Sequence, residues 1–274
     1  MKNILVPTDF SKTAEYALKV AAQIARTNGG EIIVLHMLEL PQQNSDALVS
    51  GSSIPEIMFF KNKAIERLDK LLEADYLKGI PVSKSIQFQK AFEGVLEVSR
   101  KNNVDFIVMG SNGTSGLHEM FIGSNTEKVV RSSEVPVLVI KNEIPEFKAA
   151  NMVFASDFSP EIKKSFVKIK EFATLFDSHI HLVTINTPNS FKTTRTVENR
   201  MEAFISDFQL PKYSTHIYND VNIEKGIMNF ASSVNANIIA MCTHGRTGLS
   251  HFFNGSISED LANHSYKPVL TLKV

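Results

Sequence analysis

Apolar and polar positions follow two rhythms along this chain. Short, nearly continuous apolar runs recur, and between them lie longer stretches with an apolar residue every third or fourth position. Ile4 to Val6 reads as a buried strand. Thr13 to Thr27 carries Ala14, Ala17, Leu18, Ala21, Ala22 and Ala25, the spacing of one helical face. Ser11 stands where an N-cap is needed, and Gly29-Gly30 stops the helix. Glu31 to Met37 predicts a second strand and Glu56 to Lys78 a long helix. Val82 to Gln89, Phe92 to Lys101 and Val104 to Met109 predict strand, helix and strand. A last helix is expected from Gly123 to Ser132 and a fifth strand from Val135 to Ile140. Strands apolar on both faces, alternating with helices, imply a parallel sheet covered on both sides.

The pattern then repeats. Asn3-Ile4-Leu5-Val6-Pro7-Thr8-Asp9-Phe10-Ser11 is echoed by Asn151-Met152-Val153-Phe154-Ala155-Ser156-Asp157-Phe158-Ser159, an offset of 148 from Asp9 to Asp157. Gly94, Gly113 and Gly123 are echoed by Gly226, Gly245 and Gly255, an offset of 132 from Gly123 to Gly255. The second copy is thus 16 residues shorter between its second and third strands. In the first copy that region includes Pro41 to Pro55, whose composition reads as a surface loop. Ser159-Pro160 is a stronger helix-start signal than Ser11. Strands four and five of the second copy are expected at Asn237 to Met241 and Pro268 to Val274. We therefore expect two tandem doubly wound α/β domains, each with a five-stranded parallel sheet, at 1–141 and 150–274, joined by the linker Lys141 to Ala150. The apolar fifth strands lie at presumed sheet edges, and open edges invite pairing.

Composition narrows the function. The chain has 274 residues, enough for two domains, and 43% of them are hydrophobic, which predicts a packed core. Lys and Arg number 29, as do Asp and Glu, so a protein that holds nucleic acid by neutralising many phosphates is not expected. Cys242 is the single cysteine, and no run approaches the ~20 apolar residues of a membrane span. The apolar run at the start is too short for a signal peptide, so the expectation is a soluble cytoplasmic protein.

The candidate chemistry collects at the carboxyl ends of the strands, where such sheets bind ligands. Strand four runs into Gly110-Ser111-Asn112-Gly113, and nine residues later comes Gly123-Ser124-Asn125 at a helix start. Glycines let backbone approach a ligand closely, and a helix N-terminus offers N–H groups and a favourable dipole, so this spacing reads as an anion cradle. Asp9 lies just past strand one at the same end. Its carboxylate suits a ribose, a base or magnesium, or alternatively a turn and cap with Ser11.

Pro7-Thr8-Asp9, the G-x2-G-x9-G-S spacing of Gly110, Gly113, Gly123 and Ser124, and the closing Glu134-Val135-Pro136-Val137-Leu138-Val139 resemble the universal stress protein family in its ATP-binding branch. The resemblance covers both halves and implies a tandem member of adenine nucleotide alpha hydrolase-like fold. It implies ATP, or ADP or AMP, usually with magnesium. Leu35, His36 and Met109 would lie near the adenine, and Asn125 would follow the phosphate-binding Ser124. In this family fifth strands pair across a two-fold, so the two copies are expected to pair as a pseudo-dimer; a homodimer of chains is left open. A nucleotide-dependent regulatory binding protein is the function implied. The alternative is a slow ATPase or nucleotidyl-transfer enzyme using the same pocket.

The second copy departs from the pattern. Ala155, Ser156 and Cys242 stand for Pro7, Thr8 and Gly110, while Asp157, Gly245, Gly255 and Ser256 are kept. Weaker or absent binding is expected there, with His244 as a further contact. From Gly110 to Glu127 the first loop has no Lys or Arg, and only His118 and Glu119 as acid–base candidates, which favours binding over turnover. His179 and His181 share a strand face, but the sequence shows no third metal ligand beside them.

Overall fold

A computed structural model describes residues 1–38, 54–88, 90–111, 123–243 and 265–274. In the first half, β1 (Asn3–Thr8), α1 (Lys12–Asn28), β2 (Glu31–Met37), α2 (Ile54–Leu72), β3 (Val82–Gln87), α3 (Ala91–Lys101), β4 (Phe106–Gly110), α4 (Ser124–Ser132) and β5 (Val137–Ile140) follow in order. The second half has β6 (Asn151–Ala155), α5 (Lys163–Leu175), β7 (His179–Asn186), α6 (Thr194–Ile205), β8 (Tyr213–Asn219), α7 (Ile223–Ser233), β9 (Ile238–Thr243) and β10 (Val269–Lys273).

The strands form one ten-stranded sheet ordered β3-β2-β1-β4-β5-β10-β9-β6-β7-β8. Every pairing within a half is parallel; Val6 lies beside Val34, and Phe154 beside Leu182. The halves meet where β5 and β10 run antiparallel, with Leu138 opposite Leu270. In each half the strand order reverses beside the first strand, between β1 and β4 and between β6 and β9. That reversal opens a crevice at the carboxyl ends.

One face of the sheet carries a core continuous through both halves. It includes Val6, Phe106 and Leu138 from the first half and Phe154, Phe166 and Leu270 from the second, with Phe106 edge-on to Phe172 at 5.7 Å. The opposite face carries two separate cores, one around Leu5, Ile107 and Val129 and one around Val153, Val183 and Phe230. The linker is tied down by Gln23, whose amide donates to the Ile144 carbonyl (3.3 Å) and accepts from Phe147 N (2.7 Å).

α1 starts and stops as its sequence predicts. Ser11 Oγ accepts from Ala14 N, and Gly29 takes the left-handed conformation (φ 66°). Beyond the six predicted apolar positions it also buries Val20 and Ile24. Two expectations need correction. The helix predicted from Glu56 to Lys78 ends at Leu72, and a separate 3-10 turn follows at Asp75–Leu77 because Ala74 is extended (ψ 134°). Ser159-Pro160 does not open an α-helix directly. It opens a 3-10 turn, Pro160–Ile162, without a side-chain cap, and α5 begins only at Lys163.

Candidate functional site

The end of β1 turns sharply into α1. Thr8 Oγ1 accepts from Phe10 N, and Asp9 Oδ1 accepts from Ser11 N, both at 3.0 Å. These short-range bonds hold Phe10 at φ 64°, a conformation rare for an aromatic residue. The second copy repeats the device: Ser156 Oγ accepts from Phe158 N, Asp157 Oδ1 from Ser159 N, and Phe158 sits at φ 55°. Asp9 therefore takes part in a turn, as the cap reading anticipates, and it also borders a cavity.

That cavity, about 290 Å³, opens at the β1/β4 reversal. Nine of the expected residues line it: Pro7, Thr8, Asp9, Leu35, Met109, Gly110, Gly123, Ser124 and Asn125. Asn112 and Gly113 lie outside the described residues, as do His118 and Glu119. The fourth wall comes from Ala91, Phe92 and Val95 of α3, with Met37 of β2. Sequence reasoning missed these four because apolar residues at helical or strand spacing read as ordinary core. Met37 was legible in principle, since it shares a strand face with Leu35.

His36 is a correction. It follows Leu35 on the strand and so faces the other side of the sheet. There its Nδ1 lies 2.7 Å from the Thr8 carbonyl oxygen, and its ring packs on Phe10 at 4.6 Å. The Arg67 guanidinium sits 4.0 Å from the centre of the Phe10 ring. Burial holds the imidazole below its ordinary pKa, and the Arg67 charge adds to this against the opposing pull of the Thr8 carbonyl. His36 supports the Asp9 turn from behind and does not line the cavity.

Two of the lining glycines also have structural work. A Cβ on Gly110 would lie 2.7 Å from the Thr13 carbonyl carbon and 2.9 Å from Ala14 N, so its bareness lets α1 dock on β4. Gly123 caps α4, yet its own amide donates to the Ser111 carbonyl at 2.6 Å. The groups that helix geometry leaves without an intrahelical acceptor are the next amides, those of Ser124, Asn125 and Thr126. The N-cap supplies no side-chain bond to them, while Thr126 Oγ1 ties the helix to the Gly110 carbonyl at 2.9 Å. Asp9 is the one charged side chain among the described lining residues.

The equivalent crevice in the second half is about 20 Å³. Ile223 stands where the first copy has Ala91, and Ile185 where it has Met37. Gly226 lets Ile185 close in: a Cβ there would lie 2.5 Å from an Ile185 methyl. The shortened connection after β7 folds back, with Asn186 bonded to both the N–H and the carbonyl of Lys192 (3.3 and 3.0 Å). Lys192 and Asp157 both line what is left. Cys242 is buried in the continuous core, where burial pushes its thiol far up, reinforced by the Asp157 charge. Cys242 is not among the described residues that line the crevice. His244, Gly245, Gly255 and Ser256 lie outside the described residues.

The histidine pair gains a neighbour the sequence did not show. Ser214 Oγ sits 3.0 Å from His179 Nε2, 3.0 Å from His181 Nδ1 and 2.8 Å from His216 Nε2. Among the described residues no group of three or more His, Cys, Asp or Glu is placed to hold a metal ion. No described helix is long and apolar enough to cross a membrane.

The chain is similar to known proteins in sequence and in fold. The profile of the universal stress protein family matches residues 1–141 and again 149–273. Universal stress protein MJ0577 of Methanocaldococcus jannaschii is 34% identical over 155 residues, covering 52% of this chain and 96% of its own length. Universal stress protein Slr1230 of Synechocystis is 23% identical over the full length of both chains. In fold, the chain superposes on a universal stress protein from Archaeoglobus fulgidus with a TM-score of 0.75, covering 99% and 96% of the two chains at 23% identity. Two successive matches, together spanning nearly all 274 residues, mean that this chain belongs to the universal stress protein family as a tandem, two-domain member.

Proposed function

We propose that the chain is a binding protein for an adenine nucleotide, ATP or its ADP or AMP relatives, held in the first domain (1–141), and that occupancy regulates what the protein does under stress. One observation carries the reading. The cavity at the β1/β4 reversal is lined by Asp9, by the first turn of α4, and by the apolar side chains of Leu35, Met37, Phe92 and Met109. A purine fits the apolar walls, a ribose the carboxylate, and phosphates the helix N-terminus. Asp9 supplies a hard oxygen for magnesium. The ion would arrive with the phosphates rather than sit in a standing protein site.

We read the second domain (150–274) as a closed partner. Its narrow crevice, the larger Ile223 and the clasp between Asn186 and Lys192 all support one nucleotide per chain. The two domains act as a pseudo-dimer joined through β5 and β10. The test is chemical. Purified protein is heat-denatured and the released small molecules are identified by mass spectrometry, and the emptied protein is then titrated with Mg-ATP. An adenine nucleotide at about one per chain is expected. No released nucleotide together with no binding would defeat the reading. Sustained phosphate release, lost with Gly113→Ala, would replace it with the slow ATPase.

A further inference from the structure

The proposed site has a charge problem. Among its described lining residues the charged side chain is Asp9, an anion, yet the proposed ligand carries anionic phosphates. The loop from Asn112 to Ile122 adds no Lys or Arg. Helix-end amides contribute only partial charges, so a full cation beside the phosphates would matter.

Lys128 stands in the right place. It lies four residues after Ser124, on the same side of α4, and Ser124 lines the cavity. Its ammonium rests 5.2 Å from the centre of the Phe92 ring, and Phe92 forms part of the cavity wall. The contact rests an exposed, flexible chain on a ring of the cavity wall while its charge stays in water. A second, independent observation comes from the repeat. At the offset of 132 residues, Lys128 corresponds to Asp260 and Phe92 to Glu224. The copy with the intact phosphate motif has a cation and its aromatic rest; the degenerate copy has two acids. Both partners of the cation–ring contact are thus replaced in the degenerate copy.

We infer that Lys128 is the protein's own phosphate cation: it swings from the Phe92 ring onto the β- and γ-phosphates and sets the preference for tri- over monophosphate. The inference rests on the nucleotide reading of the first domain. Binding of ATP, ADP, AMP and adenosine is measured by calorimetry at low salt for wild type and for Lys128→Gln, Lys128→Glu and Lys128→Arg, with Lys101→Gln at the far end of α3 as a control. Lys128→Gln should weaken ATP about three- to tenfold and leave adenosine within twofold, as expected for one partly screened charge. Lys128→Glu should weaken ATP further, and Lys128→Arg should restore it. ATP affinity unchanged in Lys128→Gln would overturn the inference, as would an equal loss for adenosine, which would mean a packing role. The same holds if Lys90→Gln, beside Ala91, carries the loss instead. If wild type binds none of the four ligands, the nucleotide reading itself fails, which is a different result from binding that ignores Lys128.

Discussion

Gly110→Ala isolates the contact that fixes the site's geometry. The new Cβ would meet three backbone atoms: the Thr13 carbonyl carbon at 2.7 Å, and Ala14 N and the Thr13 carbonyl oxygen at 2.9 Å. None is the tip of a flexible side chain, so α1 or β4 must shift by roughly half an ångström to regain contact distance. Overpacking of this kind costs about 1–3 kcal/mol. An opposing term exists. Gly110 is not among the residues at positive φ, so alanine suits the backbone, and the unfolded chain loses freedom worth about 0.4–1 kcal/mol in the variant's favour. The steric term wins, leaving a net loss of about 1–2 kcal/mol. With a urea slope of about 2 kcal/mol per molar, the unfolding midpoint should fall by roughly 0.5–1 M. Because Thr126 Oγ1 bonds the Gly110 carbonyl, the shift should also disturb the start of α4 and weaken nucleotide binding. A midpoint that is unchanged or raised would refute the reasoning and mean that Gly110 is bare for the ligand's sake alone.

Two more expectations follow from the same geometry. Ala91→Ile copies the second domain's Ile223 into the cavity wall; it should reduce nucleotide affinity more than tenfold while moving the urea midpoint by less than about 0.5 kcal/mol equivalent, as read by calorimetry and circular dichroism. Burial, and then the charges of neighbouring histidines, hold His181 and His216 below their ordinary value of 6.5, so the folded protein takes up these protons at lower pH than the unfolded chain. Their contribution is fully present above pH 6.5 and is lost as pH falls and the unfolded chain takes up protons first. Urea midpoints measured from pH 8 to 5 should drop on the acid side, and the drop should flatten in a His181→Asn, His216→Asn double variant; an equally steep drop there would place the titration elsewhere.

Much of this was legible in the sequence. Strand and helix order, the repeat and the Ser11 and Gly29 caps could be read because each has a local cause: apolar period, side-chain acceptor, positive φ. What could not be read depended on direction. Leu35 and His36 are neighbours and cannot both face one cavity, but only the register against β1 decides which does. The α3 wall was hidden because Ala91, Phe92 and Val95 look like any core-facing triplet until the sheet's reversal leaves a gap beside them. The end of α2 at Leu72 has no Gly or Pro to announce it, and the apolar pattern continues through Leu77, which is buried from a separate turn. The packing task of Gly110 was hidden because the residues it accommodates, Thr13 and Ala14, are nearly a hundred positions away in the chain.

The nine methionines offer the most direct test of nucleotide binding in the first domain. Met37 and Met109 line the first cavity, whereas Met152 and Met241 are buried in the second half. With 13C-labelled methionine methyls, titration with Mg-ATP should shift the Met37 and Met109 signals in step and saturate at one equivalent, while Met152 and Met241 stay put. Unmoved Met37 and Met109 signals at saturating nucleotide would contradict the account.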